Sequence, residues 1–148
     1  MRLKAIAAAV LVAGLGVTAA FAAEDGTHDA RIALMKKIGG AAGALSAIAK
    51  GEKPYDADAV KAALTTIAET AKVFPDQFKP GTETGDKEAS PKIWENMDDF
   101  KARALKLSTD ASTEIAQLPS DAAAVGAALK TLGGNCGSCH ERYRLKVD

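Results

Sequence analysis

The segment Cys136-Gly137-Ser138-Cys139-His140, ending eight residues before the end of a 148-residue chain, restricts the possible folds more than any other. Cysteines three apart, with a histidine directly after the second, share one face of a helix. The apolar stripe Val125, Leu129, Leu132, Cys136, Cys139 and Tyr143 runs along that same face, so whatever the motif binds must be enclosed by other helices. Two thiols separated by two residues can add to the vinyl groups along one side of a porphyrin, and the next residue presents an imidazole to the iron. This is the pattern of covalent haem attachment. A zinc site would need two or more further ligands, yet the only other histidine is His28 and there is no third cysteine. A redox-active dithiol belongs in a βαβ context, which this sequence does not show.

Residues 1–23 read as a secretory signal that is removed. Arg2 and Lys4 form the positive start, Ala5 to Val17 the apolar stretch and Ala20-Phe21-Ala22 a small-x-small cleavage site. The apolar stretch is short for a retained span, so no stable membrane insertion is expected after cleavage. Export suits haem attachment, which takes place outside the bacterial inner membrane, and points to the periplasm. Cleavage removes Arg2 and Lys4 from 19 basic side chains and none of the 19 acidic ones, leaving a formal charge of −2. That balance argues against nucleic acid as a partner. Residues 24–148 are one domain's worth of chain.

Four segments of the mature region have helical spacing, and none alternates with a period of two. The first runs from about His28 to Lys50, with Met35, Ile38, Ala42, Leu45 and Ala49 on one face and Gly51 to end it. The second starts near Asp56 or Asp58 and presents Val60, Leu64, Ile67, Ala71 and Phe74 before Pro75 stops it. Residues 75–90 form the one long loop. Ser90-Pro91 opens the third, expected to continue to about Gln117 and to bury Ile93, Met97, Phe100, Ala104, Leu107 and Ala111. Pro119 breaks it, and Ser120 or Asp121 caps the fourth, expected to reach the chain end. The predicted fold is all-α, an antiparallel up-down-up-down four-helix bundle with the haem on the C-terminal helix.

In such a bundle the start of the first helix and the end of the last lie together. At about 1.5 Å per residue, His140 stands roughly 12 Å in from the chain end and Met35 roughly 10 Å in from His28, so the two are level. Methionine sulfur stabilises ferrous iron, which makes Met35 a candidate sixth ligand opposite His140. Met97, near the start of the third helix, competes on geometry. His28 is expected in a frayed end. Gly133, Gly134 and Gly137 each cost a helix about 1 kcal/mol relative to alanine. Either a flat macrocycle against the helix or a close helix crossing would account for them, as for Gly39 and Gly40. Trp94 suits the haem edge or the core. Arg142, Arg144 and Lys146 suit a docking surface, or simply complement the helix dipole.

Arg31, the run Ser90-Pro91-Lys92-Ile93-Trp94, the pair Gly133-Gly134 and the C-terminal attachment motif together resemble the class II cytochromes c, the cytochrome c prime family, over essentially the whole mature region. The resemblance implies one covalently bound haem c held by Cys136 and Cys139, with His140 as axial iron ligand and Arg31 as a propionate contact. The family's high-spin, five-coordinate branch carries a bulky non-ligating residue four positions after the arginine. Here that position is Met35, which implies the low-spin, six-coordinate, methionine-ligated branch.

The expected function is that of a periplasmic one-electron carrier, not an enzyme, working between redox protein partners. Its alternative is a five-coordinate cytochrome c prime that binds nitric oxide or carbon monoxide. Family members often dimerise through the first two helices, so the resemblance also carries a homodimer as an expectation.

Overall fold

Three of the four long helices begin at a side chain that accepts from their own first turn. Thr27 Oγ1 takes the N–H of Ala30 at 3.2 Å to open α1 (His28–Ala49). Asp56 takes that of Ala59 at 2.8 Å to open α2 (Ala57–Val73). Asp121 does the same for Ala124 at the start of α5 (Ala122–Tyr143). α1 stops where Gly51 adopts φ +73°, a left-handed conformation that glycine reaches without strain. α2 gives way at Pro75 to a 3-10 turn, Phe74–Gln77. The computed structural model describes residues 26–146; the expected leader, 1–23, lies outside them.

The third helix departs from expectation. It is broken into α3 (Lys92–Glu95) and α4 (Met97–Ala116) by Asn96, at φ −133° and ψ 45°. Asn96 serves both pieces: its side-chain amide donates to the Lys92 carbonyl at 3.2 Å, and its own carbonyl accepts from Phe100 at 3.0 Å. A side chain that competes with the backbone for hydrogen bonds is what interrupts the helix.

The last helix also ends earlier than expected, at Tyr143 rather than at the chain terminus. Arg144 and Leu145 leave it to pair with the loop before α3. Ser90 N–H donates to Tyr143 O at 2.9 Å and Leu145 N–H to Glu88 O at 2.8 Å, around an isolated bridge between Ala89 and Arg144. His140 is therefore about 4.5 Å from the helix end, not 12 Å.

α1 packs on α2 and α5, and α4 packs on the same two, which closes the expected antiparallel four-helix bundle. By length and composition α1 could cross a membrane, but its Ile38, Leu45 and Ile48 enter the bundle core with Val60, Leu64, Ile67, Ala111, Val125 and Leu132. Burying each larger side chain contributes roughly 1.5–3 kcal/mol. A second cluster sits where α1 begins and α5 ends. There Phe100 meets Phe78 edge-on at 4.8 Å and Tyr143 at 5.2 Å, and Phe78 meets Trp94 at 5.6 Å.

Candidate haem site

Between the two clusters the helices form a partly open cavity of about 580 Å³, within the roughly 300–1,000 Å³ of pockets that hold a small organic ligand. One wall is the last two turns of α5, with Cys136, Cys139, His140 and Tyr143. α1 contributes Arg31, Met35, Ile38 and Gly39; α4 contributes Phe100, Ala104 and Leu107; and Phe74 and Phe78 follow α2. The lining thus comes from every layer of the bundle and is mostly hydrocarbon. Met97 is not part of it and packs with Trp94 against the aromatic cluster instead.

Cys136 and Cys139 are free thiols, half-buried in the cavity wall. Burial raises Cys136 and pushes Cys139 up to about 11, the Arg103 cation offsetting only part of that effect. A reactive dithiol needs the opposite, a depressed pKa. Burial, and then the Arg144 cation, lower the His140 pKa, which favours the neutral imidazole that can ligate iron. Among the described residues no cluster of three or more metal-binding side chains exists to support a protein-only metal site.

The glycines resolve one alternative. A Cβ built at Gly39, Gly40, Gly133, Gly134 or Gly137 meets no protein atom within 4 Å, so close helix crossing does not explain them. Gly39 lines the cavity, where the lack of a Cβ leaves room for a flat ring, while Gly133, Gly134 and Gly137 are exposed and lie outside its lining.

Arg31 is almost fully buried and its donors are largely committed to protein acceptors. Nε and Nη2 reach Gln77 O at 3.1 and 3.0 Å, Nη2 reaches Thr82 Oγ1 at 2.6 Å, and Nη1 reaches Asp86 Oδ2 at 2.9 Å. Its guanidinium carbon lies 4.4 Å from the Phe78 ring centre. Nη1 has two hydrogens and one acceptor among the described residues, which leaves room for a further anion. His28 is not frayed: it is the first residue of α1, its Nδ1 3.1 Å from Asp86 Oδ1. Trp94 is partly buried, with Nε1 donating to Lys79 O at 3.1 Å. Arg142 lies 3.4 Å from Asp99, and Arg144 pairs with Glu88 at 3.1 Å beside the cavity.

Asp86, Gln77 and Thr82 gave no warning in the sequence as partners of Arg31. Asp86 follows Gly85 in a polar loop and there reads as an ordinary turn residue.

A mostly apolar slot, walled on one side by two thiols and a neutral imidazole at attachment spacing, fits a covalently bound porphyrin. Such a slot in a helical bundle defines a c-type cytochrome of the four-helix kind. A family model described as Cytochrome C' matches residues 27–144. The chain is 74% identical over 126 residues to a cytochrome c-556 of Agrobacterium tumefaciens (strain apple 185), covering 85% of this chain and 100% of that one. It is 58% identical over 146 residues to a cytochrome c-556 of Agrobacterium fabrum, covering 99% and 98%. Among solved structures, cytochrome c' from Rhodopseudomonas palustris aligns with a TM-score of 0.76 at 33% identity, over 84% of this chain and 99% of that one. The NMR-validated structure of oxidised cytochrome c556 from the same organism aligns with a TM-score of 0.72 at 35% identity, over 82% and 97%. The chain belongs to the cytochrome c' family, the class II cytochromes c, and carries one covalently attached haem c with its iron.

Proposed function

We propose that this electron-carrying cytochrome works in the periplasm with a six-coordinate iron, ligated by His140 from α5 and Met35 from α1. The observation that carries the reading is that Met35 and His140 line one cavity from different helices while Met97 lies outside its lining. When bound, the haem supplies a one-electron ferric/ferrous couple. Cys136 and Cys139 hold it to α5 so that it does not dissociate. His140 and Met35 stay as ligands in both oxidation states, which keeps the reorganisation accompanying each transfer small. Ile38, Phe100 and Leu107 give the cavity its apolar wall. Arg31 would offer its remaining Nη1 hydrogen to a haem propionate. No substrate site and no catalysis enter this reading. The partners are a protein donor and a protein acceptor, and a homodimer through α1 and α2 is testable by sedimentation of the mature protein.

Optical and magnetic spectra of the purified ferric protein test the ligand set. The wild type and Met97→Ala should be low-spin with a sulfur-to-iron charge-transfer band, and Met35→Ala should lose it. A high-spin resting state that takes up carbon monoxide readily would instead show the five-coordinate, gas-binding member of the family.

A further inference from the structure

Asp86 belongs to the loop between α2 and α3, outside the attachment motif, yet it is tied to both helices that bring ligands to the iron. Toward α1, its Oδ2 accepts from Arg31 Nη1 at 2.9 Å and its Oδ1 lies 3.1 Å from His28 Nδ1. Within its own loop, Oδ1 accepts from the N–H groups of Glu88 at 2.9 Å and Ala89 at 3.0 Å. That turn delivers Glu88 and Ser90 to the end of α5, where their backbones pair with Leu145 and Tyr143 and the Glu88 carboxylate takes the Arg144 guanidinium. A continuous set of bonds therefore runs from the first turn of α1 to the last turn of α5.

The stretch of α1 that carries Met35 is lightly held: Met35 is only partly buried against the core, and Ile38 is the next buried residue after it. No residue from Ile32 to Lys37 is buried, whereas Arg31 and Asp86 are 4% and 3% exposed. Methionine has three rotatable bonds and does not place its own sulfur. The backbone beneath it must be held instead, and on the N-terminal side Arg31 holds it, through Asp86, the only charged partner, together with Gln77 and Thr82 among the described residues.

We infer that Asp86 is a positioning residue for the sixth ligand: through Arg31 it sets α1 against α5 and so keeps Met35, one turn further on, at the iron. The inference rests on the His140/Met35 reading above, and it assigns Arg31 a role through Asp86 in addition to any propionate contact.

The test uses holoprotein in three forms: wild type, Asp86→Asn, and Thr82→Val, which removes the 2.6 Å acceptor of Arg31 without altering the cavity wall. Carbon monoxide must compete with the sulfur for ferrous iron, so its apparent affinity reports the fraction detached. Asp86→Asn should raise that affinity about tenfold, which corresponds to about 1.4 kcal/mol, weaken the charge-transfer band, and speed hydrogen exchange across residues 30–36. Thr82→Val should change all three in the same direction by less, and it decides alone if Asp86→Asn yields no holoprotein. Variants that lose thermal stability but keep the wild-type band and carbon monoxide affinity overturn the inference. A wild type that is itself high-spin overturns the ligand reading instead, and that result is available before any variant is made.

Discussion

The phenol of Tyr143 donates to Asp99 Oδ2 at 2.6 Å, joining the last residue of α5 to the first turn of α4 one helical turn from His140. The same carboxylate oxygen accepts from Arg103 Nε at 2.8 Å, and Arg103 in turn reaches the Ser138 carbonyl at 3.3 Å. These contacts hold the turn that presents the imidazole, and the Tyr143 ring packs on Phe100 behind it. Tyr143→Phe keeps the ring and removes the phenol's bonds to Asp99 and Arg142, so it should destabilise the holoprotein. The urea midpoint should fall while the visible spectrum stays as in wild type. An unchanged midpoint would mean that water replaces the phenol at no cost.

Asp86 predicts an acid limb to stability. Burial by itself would raise its carboxyl, but bonds from Arg31, the Glu88 and Ala89 backbones and His28 outweigh that and bring it from 3.8 down to about 2. Because the folded value lies below the unfolded one, the contribution is fully present above about pH 4 and disappears as pH falls through 2. Its size is on the order of 2 kcal/mol. Urea unfolding of holoprotein between pH 6 and 2 should show the loss, and Asp86→Asn should flatten the slope below pH 4. An equal slope in the variant would place the acid sensitivity elsewhere.

The thiols should behave as buried ones before they meet a haem. With Cys139 at about 11 and Cys136 also raised, little thiolate is present near neutrality, and the thiolate is the reacting form. Alkylation of the folded haem-free chain should be slow at pH 8 and accelerate toward pH 11. Added urea should abolish the protection at pH 8 by returning both thiols to water. Fast alkylation at pH 8 without urea would contradict the burial described here.

Two glycines of α5 should respond oppositely to alanine. A Cβ at Gly126 makes an ordinary 3.8 Å contact with Ala49, and one at Gly133 meets no protein atom. Gly126→Ala should therefore stabilise the holoprotein by about 0.5–1 kcal/mol. If the porphyrin lies against α5, Gly133→Ala should give no such gain and should perturb the visible spectrum. Equal stabilisation by both substitutions would show that Gly133 is clear of the ring.

The helices were legible because their signals are local. Caps narrowed to Asp56 or Asp58 and to Ser120 or Asp121, of which the fold uses Asp56 and Asp121, Pro75 and Gly51 as stops, and stripes such as Val60, Leu64, Ile67 and Ala71 need nothing beyond neighbouring residues to be read. The attachment motif was legible for the same reason, since Cys136, Cys139 and His140 lie within five residues of one another. The break at Asn96 and the early end of α5 were not. Asn96 leaves the helix to bond at both ends of a short turn, and Arg144 leaves it for a loop more than fifty positions away.

From its sequence alone this chain determined a four-helix bundle with a covalently bound haem on its last helix, because periodicity, capping and the Cys-x-x-Cys-His spacing are short-range chemistry. Tertiary structure alone decided which carboxylate neutralises Arg31; for the methionine, the family resemblance already pointed to Met35 and the fold adds that Met35 lines the cavity. Met35 and Met97 have the same thioether and both sit on apolar stripes, so helical spacing does not separate them, whereas the packing of α1, α4 and α5 does. Asp86 becomes the partner of Arg31 across 55 residues because a loop folds back over the end of the bundle, and no local pattern encodes that return.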